Sequence, residues 1–380
     1  MNSQKHLFSL QEGIHYLNCA YKAPLLKKGE EACAKSLIAS RNPFNLSVDD
    51  FFDTTEEIKR QFGQLIHADA GDVVLVSSTS YAFTSVLNNT PAKPHGHALT
   101  LEHEFPSGYY SLSRWCEEHS QNLKSVGFQE REAGESPTTH LLNSITSETS
   151  VVLMSSVHWM NGMRFELEGI GKRCKEVGAV FIVDGTQSVG AQPIDVKACH
   201  IDALVCASYK WLFGPYSMAV AYIAPRFHGG KPVEEPWINR SNAREFQNLT
   251  QYVADYRPAA ARFNGGETSN FILSPILLEA LRQVNAWTPE AISAYARRLS
   301  APLFELLQSA GIQSANREEY ANHIFPLTLP SHVDHEHLKK LLNENQIFIS
   351  LRGQHIRVSV NVFNEEADIE KLVEVVQQVL

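Results

Sequence analysis

The first two-thirds of the chain is punctuated by short, mostly apolar runs: 73–76 (Val-Val-Leu-Val), 97–101 (His-Ala-Leu-Thr-Leu), 151–154 (Val-Val-Leu-Met), 179–183 (Ala-Val-Phe-Ile-Val) and 203–207 (Ala-Leu-Val-Cys-Ala). They are too short for helices and lack polar alternation, which suits strands covered on both faces. Tyr81 to Leu87 and Leu167 to Val177 read as helices between them. From about residue 55 to 225 strand thus alternates with helix. That alternation predicts an α/β, doubly wound domain with a mainly parallel sheet.

The pattern changes near 229–270, where Gly229-Gly230-Lys231-Pro232 and Asn264-Gly265-Gly266 bracket a polar stretch with Pro236 and Pro258. Such a stretch predicts long loops, of the kind that wall a ligand site. Beyond it, 275–308 reads as mostly helical, and strands are expected near 323–329, 347–351 and 356–360. A closing helix carries Ile369, Leu372, Val373, Val376 and Leu380 at helical spacing, with Asn364 as its expected N-cap. This second pattern predicts a smaller α+β unit.

Composition narrows the partners. The 380 residues are 43% hydrophobic and 20% charged, with a net charge of −9 and a pI near 6.0. No basic run stands out, so neither nucleic acid nor an acidic membrane surface is an expected partner. No stretch reaches the roughly 18 apolar residues of a membrane span, and Met1 to His6 leads into no secretory-type apolar segment. Cys19, Cys33, Cys116, Cys174, Cys199 and Cys206 form no CxxC pair and read as reduced thiols of a cytoplasmic protein. His332, His335 and His337 cluster at the start of an apparent helix over 335–342, which reads as a solvated helix start rather than a metal site.

Two strand ends carry the chemistry. The run 179–183 ends on Asp184, with Gln187 beyond it, and the run 203–207 leads into Ser208-Tyr209-Lys210-Trp211-Leu212-Phe213-Gly214-Pro215. Polar residues just past the carboxyl ends of parallel strands face the ligand crevice. One amine and one carboxylate in a shared crevice suit a cofactor that needs a Schiff-base lysine and an acidic partner for a ring nitrogen, pyridoxal phosphate. Taken singly, a strand-end lysine equally suits a solvated loop, and a strand-end aspartate the cap of the next helix. The strand 73–76 is followed by Ser77-Ser78-Thr79-Ser80 and a helix start, where free amides and hydroxyls can hold a phosphate or merely cap the helix. Gly229-Gly230-Lys231 is not a phosphate loop, and no GxGxxG follows a strand, which excludes a dinucleotide fingerprint.

These pieces, in this order, resemble the class V aminotransferase superfamily of fold-type I pyridoxal-phosphate enzymes, which includes cysteine desulfurases, kynureninases and isopenicillin-N-epimerase-like proteins. The resemblance runs from Tyr16-Leu17-Asn18 to the last helix and is strongest at Val183-Asp184-Gly185-Thr186-Gln187-Ser188-Val189-Gly190 and at Ser208 to Pro215. It implies an N-terminal segment over 1–22 near the active site, a large cofactor-binding domain over 23–260 and a small C-terminal domain over 261–380. Lys210 would carry the cofactor and move protons, and Asp184 would keep the pyridine nitrogen protonated. Gln187 would donate to the ring's phenolic oxygen, and Phe105 would stack on the ring face. Ser78, Thr79, Ser208 and Tyr209 would hold the phosphate. Arg357 would grip a substrate carboxylate, with Arg352, Trp159 and Asn18 also on the substrate side.

Departures matter as well. Glu267 occupies the slot where relatives carry a threonine that reaches a neighbouring subunit's phosphate, and no cysteine lies beyond Cys206, which disfavours persulfide transfer through a late loop. Trp159 replaces a common asparagine and either narrows the pocket or packs. The resemblance implies a homodimer acting on a small amino acid, with an α-keto acid as a second partner. Transamination is the first expectation; an epimerase-like reaction or C–S or C–C lysis is the second, and a non-catalytic protein keeping the fold the third.

Overall fold

A computed structural model gives the fold and describes residues 1–128, 131, 132, 134–310, 317–330, 332–352 and 355–380. A short strand, β1 (His15–Tyr16), precedes the helices α1 (Lys27–Ala39) and α2 (Asp53–Ile66). In α2, Ile58, Phe62, Leu65 and Ile66 share the buried face, and the helix stops where His67 turns left-handed at φ 57°. The alternation then follows as β2 (Val73–Val76), α3 (Thr79–Leu87), β3 (His97–Leu101), α4 (Pro106–Glu118), β4 (Asn122–Val126) and α5 (Pro137–Ser144). It continues through β5 (Thr149–Ser155), α6 (Leu167–Val177), β6 (Val180–Asp184), β7 (Ala203–Ala207) and β8 (Ala219–Ile223). At the end of α6, Gly178 takes φ 71°, which lets the chain reverse directly into β6.

Among the described residues these strands form one sheet in the order β2-β8-β7-β6-β5-β3-β4. All neighbours are parallel except β8, which runs antiparallel to β2 and β7. Every residue of β5, β6 and β7 is buried, as their unbroken apolar runs require. Each Val, Leu or Ile covered there contributes about 1.5–3 kcal/mol. Because β8 turns straight back beside β7, the connection between them stays at the carboxyl end of the sheet. That connection carries Lys210.

A second core follows α7 (Ser274–Trp287). It comprises α8 (Pro289–Ser309), β9 (Ile324–Thr328), α9 (His335–Glu344), β10 (Ile347–Phe348), β11 (Ser350–Arg352), β12 (His355–Ser359) and α10 (Glu366–Gln377). The antiparallel sheet β11-β12-β9 packs with the helices through Leu299, Leu303, Phe325, Val358, Leu372 and Val376. Helix α7 turns Leu277, Leu281 and Val284 into the core of the large sheet, and Ile292, Ile324 and Phe363 from farther along the chain join that core. The N-terminal segment runs along the seam: Leu17 joins the second core, and Cys19 and Ala20 join the first.

Two helix starts differ in detail from expectation or refine it. The cap of α10 is Glu365, in a reciprocal capping box with Asp368, and Asn364 instead donates to the Tyr16 carbonyl and the Asp368 carboxylate. Asp334 caps α9 by accepting from the amides of Glu336 and His337.

Candidate active site

The carboxyl ends of β2, β3, β5, β6 and β7 converge, and a small, tight cavity opens among the residues that follow them. Asp184 (5% exposed), Gln187 and Lys210 (6% exposed) form its buried part. Thr79, Phe105, Trp159 and Tyr209, each half-buried, surround it. Asp184 ends β6 and is the register partner of Ser155 at the end of β5, which fixes two polar side chains on adjacent strand tips.

Lys210 Nζ stands 5.6 Å from the centre of the Phe105 ring and 5.7 Å from that of Tyr209. Among the described residues nothing hydrogen-bonds this amine. Burial pulls its pKa from 10.5 down to about 8; the Asp184 carboxylate opposes that fall and the Arg357 guanidinium adds to it. Burial in turn pushes the Asp184 carboxyl up, offset by hydrogen bonds from Thr186 and by the Lys210 charge. The Thr186 amide donates to Asp184 Oδ1 at 2.8 Å and so fixes the carboxylate plane.

Gln187 is held at both ends. Its Nε2 donates to the Ala20 carbonyl at 3.1 Å, and its Oε1 accepts from the Trp211 indole at 2.9 Å. An amide nitrogen has two hydrogens, so one remains for a ligand. His323, edge-on to Trp211, bonds the Gln187 carbonyl at 2.6 Å, and burial holds its pKa down at about 4, keeping it neutral.

Glu104 was not singled out from the sequence, although it adjoins Phe105. Its buried carboxyl accepts from the amides of Ser155 and Phe105, each at 2.6 Å, and from the Ser155 hydroxyl. Burial and the nearby Asp184 charge push its pKa up to about 7. It pins the turn that presents Phe105 to the tip of β5. Glu104→Ala leaves two buried amides without an acceptor, at about 1–3 kcal/mol each. A urea titration should therefore show a loss of about 2–4 kcal/mol, and a loss below about 1 kcal/mol would contradict this role.

On the substrate side, Arg357 is 1% exposed. Its Nη1 donates to the Trp159 carbonyl at 2.5 Å and its Nη2 to Ser350 Oγ at 3.2 Å; Ser350 in turn donates to Asn18 Oδ1 at 2.8 Å. Arg357 thus sits behind Trp159 rather than in the cavity wall, with Asn18 reaching it through Ser350. Arg352 lies on β11, but its side chain falls outside the described residues.

At the phosphate end the expectations need correction. Thr79 and Tyr209 line the cavity, but Ser208 is fully buried with its hydroxyl on the Pro215 carbonyl at 2.6 Å. Ser78 caps α3, accepting from the Tyr81 amide at 3.2 Å. That cap uses an acceptor lone pair of the Ser78 hydroxyl, so the Ser78 and Thr79 hydroxyls and the first-turn amides together face an anion at this helix start. The residues present therefore fit pyridoxal phosphate: a buried amine without a hydrogen-bond partner, a buried carboxyl, an aromatic ring beside the amine and a helix start. Among the described residues, no three His, Cys, Asp or Glu side chains group as metal ligands.

Comparison with known proteins agrees with this fit. The family model Aminotransferase class-V matches residues 40–372. An uncharacterized aminotransferase, YcbU, of Bacillus subtilis is 25% identical over 255 residues, 60% of this chain and 67% of its own. A probable cysteine desulfurase of Pyrococcus abyssi is 24% identical over 352 residues, covering 86% of this chain and 83% of its own. Among solved structures, the apo cysteine desulfurase of Thermococcus onnurineus superposes with a TM-score of 0.80 at 18% identity, covering 100% of this chain and 98% of that one. The cystine C–S lyase C-DES, solved with its product cysteine persulfide, gives a TM-score of 0.83 at 17% identity over 96% and 97% of the two chains. The chain belongs to the class-V aminotransferase family of fold-type I pyridoxal-phosphate enzymes.

Proposed function

We propose that this protein is a pyridoxal-phosphate enzyme that works at Cα of a small amino acid and releases its sulfur substituent by C–S cleavage. The observation that carries the cofactor reading is the buried Lys210 amine sharing a cavity with the buried Asp184 carboxyl beneath Phe105. The cofactor, when bound, supplies an electron sink for the negative charge left at Cα. Lys210 takes the Cα proton as general base. Asp184 would hold a proton at the pyridine nitrogen, Gln187 would donate to the phenolic oxygen and Phe105 would cover the ring. With cysteine as substrate, the C–S bond breaks with its electron pair on sulfur, and uptake of water gives pyruvate, ammonia and sulfide. The cysteine desulfurase and C–S lyase relatives support cleavage over amino-group exchange.

The protein's thiols bear on where the sulfur goes. Cys19 and Cys206 lie near Lys210 but are fully buried, with the Cys19 thiol pushed up to about 12 and that of Cys206 well above its ordinary range. Neither is a thiolate at neutral pH, so sulfur leaves to solvent rather than onto the protein. Transamination is the second reading, favoured by the YcbU relative. Incubation with an amino-acid panel and α-keto acids separates the two. Sulfide and pyruvate from cysteine support cleavage, and amino-group exchange without sulfide overturns it.

Arg357, within Coulombic reach of Lys210, is the proposed carboxylate grip. Arg357→Lys keeps the charge and loses the planar fork, and should raise KM about tenfold or more while the cofactor's visible band persists. An unchanged KM removes Arg357 from the site.

We also read the chain as a homodimer. Phe44 (81% exposed), Leu46, Trp237, Phe246 and Tyr252 (94% exposed) project from the surface, and Phe51 makes ring contacts with Trp237 and Phe246. A part-exposed aromatic cluster such as Phe51, Trp237 and Phe246 suits a contact surface. Sedimentation should give twice the 42.5 kDa chain mass, and a monomer at micromolar concentration contradicts it. The free thiols suit the reducing cytoplasm. No helix among the described residues is long and apolar enough to cross a membrane.

A further inference from the structure

Thr79, Phe105, Trp159 and Tyr209 close tightly around Asp184, Gln187 and Lys210, so the substrate's room is set at the rim. Trp159 is the bulkiest group there, and it is fastened from several sides. Its indole Nε1 donates to the His103 carbonyl at 2.7 Å, and its ring meets Phe105 edge-on with centroids 5.6 Å and planes 85° apart. Its backbone carbonyl accepts from Arg357 at 2.5 Å. The loop that carries it is pinned as well: Gly162, at φ 76°, packs so closely on β9 that a Cβ would lie 2.2 Å from the Ile324 carbonyl, and Ala321 donates to the Gly162 carbonyl at 2.8 Å.

We propose that Trp159 determines substrate size: held at the cavity rim against Phe105, with Arg357 packed behind it, it admits amino acids with the side chains of alanine, serine and cysteine and excludes long or aromatic ones. Trp159 lines the same cavity as Lys210, so a substrate side chain presented to the Lys210 amine must fit beside the indole. The fixed loop gives the indole no room to withdraw. This inference rests on the reading that the cavity holds pyridoxal phosphate and an amino acid.

The test titrates the cofactor-loaded wild type, Trp159→Ala, Trp159→Leu and Trp159→Phe with alanine, serine, cysteine, leucine and phenylalanine, reading the shift of the visible band rather than turnover. The wild type should bind leucine and phenylalanine at least about a hundredfold more weakly than alanine, in line with the cost of steric exclusion from a fitted pocket. Trp159→Ala should narrow that gap by about tenfold or more, while Trp159→Phe, which keeps the bulk, should preserve most of it. Should the alanine variant fail to hold the cofactor, Trp159→Leu is read in its place with a smaller change in the same direction. Equal binding of alanine and phenylalanine by the wild type overturns the proposal. So does an unchanged size ranking in the alanine or leucine variant with its band intact. No band in any of the proteins under cofactor excess overturns the cofactor reading itself and this inference with it.

Discussion

A Lys210→Ala protein is expected to show no visible band under cofactor excess and to lose turnover by on the order of 10⁴ or more, the scale seen when a covalent catalytic group is removed. The loss would not come from unfolding. Burial pulls the Lys210 pKa to about 8 from 10.5, so below pH 8 the folded protein carries a charge that its surroundings disfavour. That penalty is fully present below about 8 and falls away as pH rises toward 10.5, because in that window the unfolded chain binds the proton and the folded one does not. The alanine variant lacks this penalty. Its melting temperature at pH 7 should therefore match or exceed that of the apo wild type, and the wild type should recover toward pH 10. The same depressed pKa has a kinetic face. Cofactor capture needs the neutral amine, so its rate should rise with pH to a midpoint near 8. A retained band in Lys210→Ala, or a capture midpoint near 10, contradicts the assignment.

Asp184→Asn is expected to lower turnover by about 10²–10³, the usual loss when one group that stabilises developing charge is removed from a buried site. Asparagine keeps an Oδ1 acceptor for the Thr186 amide, a bond of 2.8 Å in the native protein, so the turn after β6 should hold. What goes is the negative charge that keeps the ring nitrogen protonated. A second readout separates this from a loss of packing. Because the Asp184 charge raises the Lys210 pKa against burial, the capture midpoint should move below 8 in the variant. Unchanged turnover together with an unmoved midpoint would remove Asp184 from its role.

The strands buried on both faces were legible because full burial leaves an unbroken apolar run, as at 151–154 and 203–207. Strand β4 was not, since Asn122, Lys124 and Ser125 face solvent. The reversal of β8 left no mark in composition, because a strand covered on both faces reads the same in either direction. Lys210 and Asp184 could be read from position, as polar residues past the ends of adjacent strands. Ser208 could not be placed: the chain leaves β7 at Ala207 into an irregular turn, and the Pro215 carbonyl claims the hydroxyl. Glu104, Trp211 and His323 act through partners far along the chain, Glu104 on Ser155 and His323 on Gln187. No local pattern announces such pairs. Residue identities around the cavity point to a cofactor class but not to a reaction, because the same lysine and aspartate serve several outcomes at Cα.

The most direct test of the account is to load the native protein with pyridoxal phosphate, reduce it with borohydride and map the modified peptide by mass spectrometry. The account predicts one stable adduct per chain, on the peptide that carries Lys210. An adduct spread over surface lysines, or confined to a peptide without Lys210, would contradict it.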